Sequence, residues 1–210
     1  MSLLQIQVLL ARLYTDPVLQ QRFFEAPEVV GKEFGLTPEE VRQIQEISAK
    51  DTRFFAHSLV HKRLGQVQKL LSGTARVMSC AFNRAFHDFA PTFVPSGTRK
   101  HHLDALNFAV FLQKQVLNKT TTGKNWPPWL GELLQLETSW IRAYFAETRW
   151  RMKLFRYPVW RLLKELEHDT QPELSPQWTL LVWWRLSRGG KLHHQLFPRP
   201  LSSSKSSTTL

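Results

Sequence analysis

Two histidines four residues apart, His57 and His61, could meet a metal ion from one helix face. A structural or catalytic metal site needs three or four ligands, and no acidic third ligand follows nearby in the sequence. The pair is therefore read as part of a polar helix face. His101-His102 and His193-His194 are adjacent pairs that diverge on either a strand or a helix, so neither makes a bidentate site. Cys80 has no CxxC partner and sits among Met78, Ala81 and Phe82, where a buried, inert thiol is expected. Glu132, Glu137 and Glu147 fall on one expected helix and read as a solvated or salt-bridged face rather than an acid–base set. Gly189-Gly190 stands between strand segments and is better explained by a hairpin turn than by a phosphate loop. No catalytic or metal-ligating constellation emerges, and the chain is expected not to be an enzyme.

The positive signal is of another kind. Arg142, Arg149, Arg151, Lys153, Arg156, Arg161 and Lys164 run through a region that also carries Trp140, Trp150 and Trp160. Basic residues interleaved with aromatics can bind nucleic acid through phosphates and stacking. Trp and Arg are also the residues that dominate protein interfaces, and tryptophans in a core under a solvated arginine face would give the same pattern. The distribution of charge sharpens this. The chain of 210 residues carries 28 Lys and Arg against 17 Asp and Glu, a net +11. Up to Thr74 there are 9 basic and 8 acidic residues; all eight tryptophans and the rest of the excess positive charge lie beyond it. Two modules are expected, a near-neutral one over 1–74 and a basic, Trp-rich one over 75–197, followed by a serine-rich tail over 198–210 without the means to fold.

The elements that must carry these residues are mostly helices. Asp16-Pro17 and Thr37-Pro38 read as N-caps with proline in the first turn, and Glu40 completes a capping box. Gly35 stops the helix before Thr37. A long helix is expected from Asp51 or Thr52 to about Ser72, with Gly73 as its stop, then helices over 75–89, 99–118 and 128–150. Phe82, Phe86 and Phe89 mark an apolar stripe, as do Leu103, Leu106, Val110 and Leu117, and then Leu133, Leu136 and Trp140. Past Trp150 the period changes to two. Residues 152–157 read as a short strand and Pro158 as the start of a further helix. Residues 177–187 form the clearest strand, with Trp178, Leu180, Val182, Trp184 and Leu186 on one face and Thr179, Leu181, Trp183 and Arg185 on the other. Residues 191–197 return as the second arm of a hairpin. The fold class expected is mainly α with a small C-terminal antiparallel β element.

The single cysteine excludes an internal disulfide framework and fits a reducing compartment. The apolar first segment lacks a basic n-region and is interrupted by Gln5, Gln7 and Arg12, so it reads as a helix of the fold, and no run is long enough to span a bilayer. A soluble, cytoplasmic protein without a membrane partner is expected.

In their order, several segments resemble a known protein family. Leu10-Ala-Arg-Leu-Tyr-Thr-Asp-Pro-Val-Leu19, Arg22-Phe-Phe, Phe34-Gly-Leu-Thr-Pro-Glu-Glu40 and Phe54 through Gly65 are similar to a small helical domain associated with multinuclear iron-dependent oxidative enzymes that modify ribosomally made peptides. Asp104 through Leu112, Pro128 through Glu137, Arg156-Tyr-Pro-Val159 and Trp178 through Arg185 resemble the partner subunits of those enzymes, the MbnC-like family, some members of which carry a DNA-binding label. The resemblance spans most of residues 4–197. It implies a noncatalytic subunit in a heterodimer with the iron enzyme, holding no cofactor itself while the iron resides in its partner, and a precursor peptide whose leader adds as a strand to the C-terminal sheet. On this reading Leu181, Trp183, Arg185 and His193 contact the peptide, and Trp140, Arg149, Trp150, Arg156, Tyr157 and Trp160 dock the partner enzyme. Nucleic acid remains the alternative partner of the basic region, and docking on a larger assembly a third reading.

Overall fold

The chain opens with four helices, α1 (Leu3–Leu13), α2 (Pro17–Glu25), α3 (Pro27–Glu33) and α4 (Pro38–Gln45), of which α2 and α4 start on local side-chain caps. In the computed structural model, which describes residues 3–117, 126–145, 149–158, 161–162, 174–187 and 190–197, the Asp16 carboxylate accepts the amides of Val18 and Leu19 at 3.1 and 3.0 Å. Thr37 and Glu40 close the reciprocal capping box, which satisfies two donors that the first turn of α4 cannot pair internally. Gly35 takes φ +68, the left-handed conformation that ends α3 cheaply only in glycine. Leu9, Leu13, Leu19, Phe23, Val30, Val41 and Ile44 share one core. A Cβ at Gly31 would overlap the Val41 side chain, so α3 and α4 approach through glycine.

Helix α5 (Ala49–Leu70) begins earlier than expected, because the Ser48 hydroxyl accepts the Asp51 amide at 3.0 Å. The helix expected over 75–89 is broken in two. Ser79 adopts φ 51 between α6 (Ser72–Met78) and α7 (Cys80–Phe89), and Gly73 lies inside α6 instead of stopping α5. Cys80, expected to be buried, is exposed at the start of α7. A single 3₁₀ turn (Ala90–Thr92) leads on to α8 (Lys100–Leu117). The buried line of α8 is Asp104, Ala105, Phe108, Ala109 and Leu112, whereas the expected stripe residues Leu103 and Val110 face solvent. Helix α9 spans Leu130–Phe145 among the described residues, and Trp150, expected as the end of that helix, instead opens strand β1 (Trp150–Phe155). Strands β2 (Thr179–Trp184) and β3 (His193–Phe197) complete an antiparallel sheet in the order β1-β2-β3. The fold is mainly α with a small C-terminal sheet, as the sequence leads one to expect. The tail, the 119–125 loop and most of the segment after Pro158 lie outside the described residues.

The chain forms two compact units that do not meet at one boundary. Met1–Lys69 and Asn83–Asp104 make the first, Leu70–Phe82 and Ala105–Leu210 the second. Thr74, the expected division, falls inside α6. Two nonlocal polar interactions account for this exchange of segments. In the second unit, Glu137 of α9 holds the start of α6. In the first, Arg63 of α5 binds the segment that follows α7.

The Arg63 guanidinium donates to both oxygens of Asp104, at 2.9 and 2.8 Å, and also to the carbonyls of Ala90 and Phe93 at 3.1 and 2.7 Å. It lies 5.6 Å from the centre of the Phe86 ring. Asp104 is fully buried and the Arg63 side chain is 17% exposed. A fork of this kind is well matched to the planar guanidinium, and removing one partner leaves the other charge stranded. Asp104→Asn should cost about 3–5 kcal/mol by that mechanism, read as a lower urea midpoint with an unchanged slope.

Candidate functional site

The C-terminal unit presents its sheet as a layer with two unlike faces. Along β2, Thr179, Leu181 and Trp183 are buried while Leu180, Val182 and Trp184 are half-exposed. Antiparallel register carries the division across the sheet. Trp150, Met152 and Leu154 of β1 lie opposite Trp184, Val182 and Leu180. His193, Gln195 and Phe197 of β3 lie opposite the same three residues on the other side. This outer face is unusually apolar: Trp150 is 63% exposed, Met152 55% and Leu154 56%, and the Trp184 ring stacks on His193 at 5.7 Å. Such a surface is uncommon on a protein that acts alone.

The inner face is committed to the core. Trp183, 1% exposed, meets Trp140 of α9 edge-on with ring centres 5.5 Å apart. His194, the cross-strand neighbour of Trp183, also packs edge-on against Trp140 at 4.8 Å, and partial burial lowers its pKa. Arg185 donates to the carbonyls of Ala143 and Tyr144 at 3.2 and 2.7 Å, so it caps the last turn of α9, and to that of Gly190 at 2.7 Å. The expected peptide contacts Leu181, Trp183 and Arg185 are therefore corrected. The first two are core side chains and the third is a helix cap. They fall on the inward side of the strand, and β2 is the middle strand with both edges paired. Of that set, His193 stands on a strand with, among the described residues, an unpaired edge.

Among the expected docking residues, Arg149, Trp150 and Arg156 are exposed. Trp140 is half-buried, with the rings of Trp183 and His194 both packed on it, and Tyr157 is 7% exposed and so a packing residue. Trp160 lies outside the described residues. The sequence reading missed Met152 and Leu154. Their signal was the alternation of Trp150, Met152 and Leu154 against Arg151, Lys153 and Phe155, obscured by extending α9 as far as Trp150.

Two glutamates expected on a solvated face do structural work instead. Glu132 accepts the consecutive amides of Arg156 and Tyr157, both at 2.9 Å, fixing the chain as it leaves β1. Glu137 accepts the Gly73 amide at 2.7 Å, the Thr74 amide at 3.2 Å and the Thr74 hydroxyl at 2.5 Å, replacing the missing side-chain cap of α6 from another helix. Glu147 lies outside the described residues. Among the described residues no group of three or more His, Cys, Asp or Glu is placed to hold a metal ion, and no helix is long and apolar enough to cross a membrane. His57 stacks on His87 at 5.7 Å instead of pairing with His61. A further cavity of about 710 Å³, bordered by Leu13, Tyr14, Leu59, Val60, Pro91 and Val94, lies in the N-terminal unit.

Compared with protein-family models and with curated proteins, the sequence finds no match.

Burial raises the Glu137 carboxyl from its ordinary 4.5 to about 7, against the opposing pull of its hydrogen bonds from Thr74 and Gly73. The unfolded chain therefore loses this proton first as pH rises, so the group withdraws stability between about pH 4.5 and 7 and nothing further above that. The interval is worth about 3 kcal/mol. Glu137→Gln cannot ionise, and its loss of stability between pH 4 and 8 should be smaller than wild type by about that amount in urea unfolding. Trp183→Ala should cost about 3–5 kcal/mol by opening a core cavity. Trp150→Ser, on the outer face, should stay within about 0.5 kcal/mol of wild type, both read from chemical denaturation.

Proposed function

We propose that this chain is a noncatalytic partner subunit that binds an iron-dependent peptide-modifying oxidative enzyme and helps present that enzyme's ribosomally made precursor peptide. The observation that carries the reading is the C-terminal sheet, three short strands with an apolar outer face and, among the described residues, no strand paired to the far side of β1 or β3. An extended leader can add to such an edge by main-chain hydrogen bonds, with alternate side chains supplying specificity. The outer face, flanked by the exposed Arg149 and Arg156, suits the enzyme. Trp and Arg at the centre of a contact make the largest contributions to binding, and the excess basic charge speeds encounter with an acidic partner face. Iron, on this reading, belongs to the partner enzyme.

The test is co-purification of the full chain from its own cells, with metal analysis and mass spectrometry. An iron-bearing oxidative enzyme in one-to-one ratio supports the proposal, and Trp150→Asp with Leu154→Asp should weaken that complex at least tenfold while the melting temperature holds. Recovery of a multisubunit assembly lacking such an enzyme would sink it. So would nucleic acid whose affinity falls steeply with salt, the mark of phosphate neutralisation.

A further inference from the structure

A small polar cavity lies on the face of the sheet opposite Trp150, and neither the outer surface nor the core accounts for it. Its volume is about 160 Å³, well below the roughly 300–1,000 Å³ of sites that enclose a whole small ligand. That size suits one side chain. Gln113 comes from α8, Gln135, Thr138, Ser139 and Arg142 from α9, and Lys153 from β1. Among the described residues no Asp or Glu borders the cavity. Thr138 spends its hydroxyl on the Leu134 carbonyl at 2.9 Å, but Gln113, Gln135, Ser139, Arg142 and Lys153 have no side-chain hydrogen bond or ion pair among the described residues. Two cations and three neutral polar groups thus converge without an anion.

The position of the cavity is as informative as its chemistry. β1 contributes Lys153 and β2 contributes nothing, so the cavity lies on the side of β1 away from β2, beside the edge that, among the described residues, is unpaired. The Arg185 amide donates to the Arg149 carbonyl at 2.7 Å, which sets the hydrogen-bonding phase of the β1–β2 ladder. Main-chain groups of Arg151, Lys153 and Phe155 consequently turn toward β2, and those of Trp150, Met152 and Leu154 turn toward the free edge. A strand added there would place a residue directly beside Lys153 on the inner face, about 5 Å away between Cβ atoms. Its side chain would point into the cavity.

We propose that this cavity is an acid-recognition subsite. It receives the carboxylate of one Asp or Glu in an extended peptide that pairs with the free edge of β1. Arg142 and Lys153 supply opposite charge, and Gln113, Gln135 and Ser139 supply hydrogen bonds. The subsite rests on the strand-addition reading above and adds to it an edge, a register and a residue class. A carboxylate seated between two cations makes charge-assisted hydrogen bonds that its amide cannot replace, so the site reads one position of the peptide and leaves the others to main-chain pairing.

Selection of a displayed library of random twelve-residue peptides on the full chain tests this directly. Enriched sequences should carry Asp or Glu at one fixed position within an alternating apolar pattern, and changing that Glu to Gln in a synthetic peptide should weaken binding about tenfold. Against Lys153→Met the Glu and Gln peptides should bind alike. Arg142→Gln, at an exposed helical position, is the second variant and should reduce the discrimination in the same way if Lys153→Met folds poorly. Bound peptide should slow hydrogen exchange at the amides of Met152 and Leu154. Enrichment without an acidic position, or discrimination that survives both substitutions, overturns the subsite and leaves strand addition standing. Enrichment of nothing removes strand addition and the subsite together.

Discussion

Burying Trp183 against Trp140 determines which half of the C-terminal sheet is left to solvent. An indole is the largest apolar load a strand can carry inward, and its partners Leu181 and Thr179 follow at a spacing of two. A slip of one residue would put Trp184 and Val182 in the core and Trp183 outside, so the register cannot drift. Everything on the other face follows from that choice. Trp150, Met152 and Leu154 are exposed because their cross-strand neighbours are the residues of β2 that the core did not take.

The helices beneath are fixed by a different device. Glu137 supplies an N-terminal cap that α6 has no local residue to make, and Arg185 caps the C-terminus of α9 from β2. Glu132 binds two successive amides beyond β1, where the ladder has ended. Each contact satisfies main-chain groups that a helix or strand terminus would otherwise leave unpaired. Each also joins segments far apart in the chain, so these polar groups set tertiary geometry as well as local stability. The acid that caps α6 is held partly against its own ionisation, which is the cost of placing a carboxylate in so dry a position.

What could be read from the sequence follows the same division between local and distant causes. The capping box at Thr37, the cap at Asp16 and the stop at Gly35 are settled within a few residues, and the structure has them where the sequence places them. The alternation of β2 was also legible, but its two sides each carry tryptophan and leucine, so the pattern could not say which side is buried. The break at Ser79 has no glycine or proline to announce it. Glu137 and its acceptor role toward Thr74 are separated by 63 residues, and the guanidinium that ends α9 near Tyr144 lies 41 residues on. The helix expected to run to Trp150 gives way to a strand that opens at Trp150, so the outer face that begins there was seen only in part.

The same distinction bears on the positive charge. A basic sequence suggests a basic surface, yet Arg63 and Arg185 spend their guanidinium groups on carbonyls and a carboxylate inside their own units. Arg149 and Arg156 flank an apolar face, and Arg142 and Lys153 line a cavity with no acid among its described residues. Nonspecific attachment to a polyanion would ask for a continuous basic stripe that follows a backbone. Arg149 and Arg156 beside the apolar sheet face, and Arg142 and Lys153 within a side-chain-sized cavity, stand in two separate places on one unit, and that separation is what the proposed reading draws on.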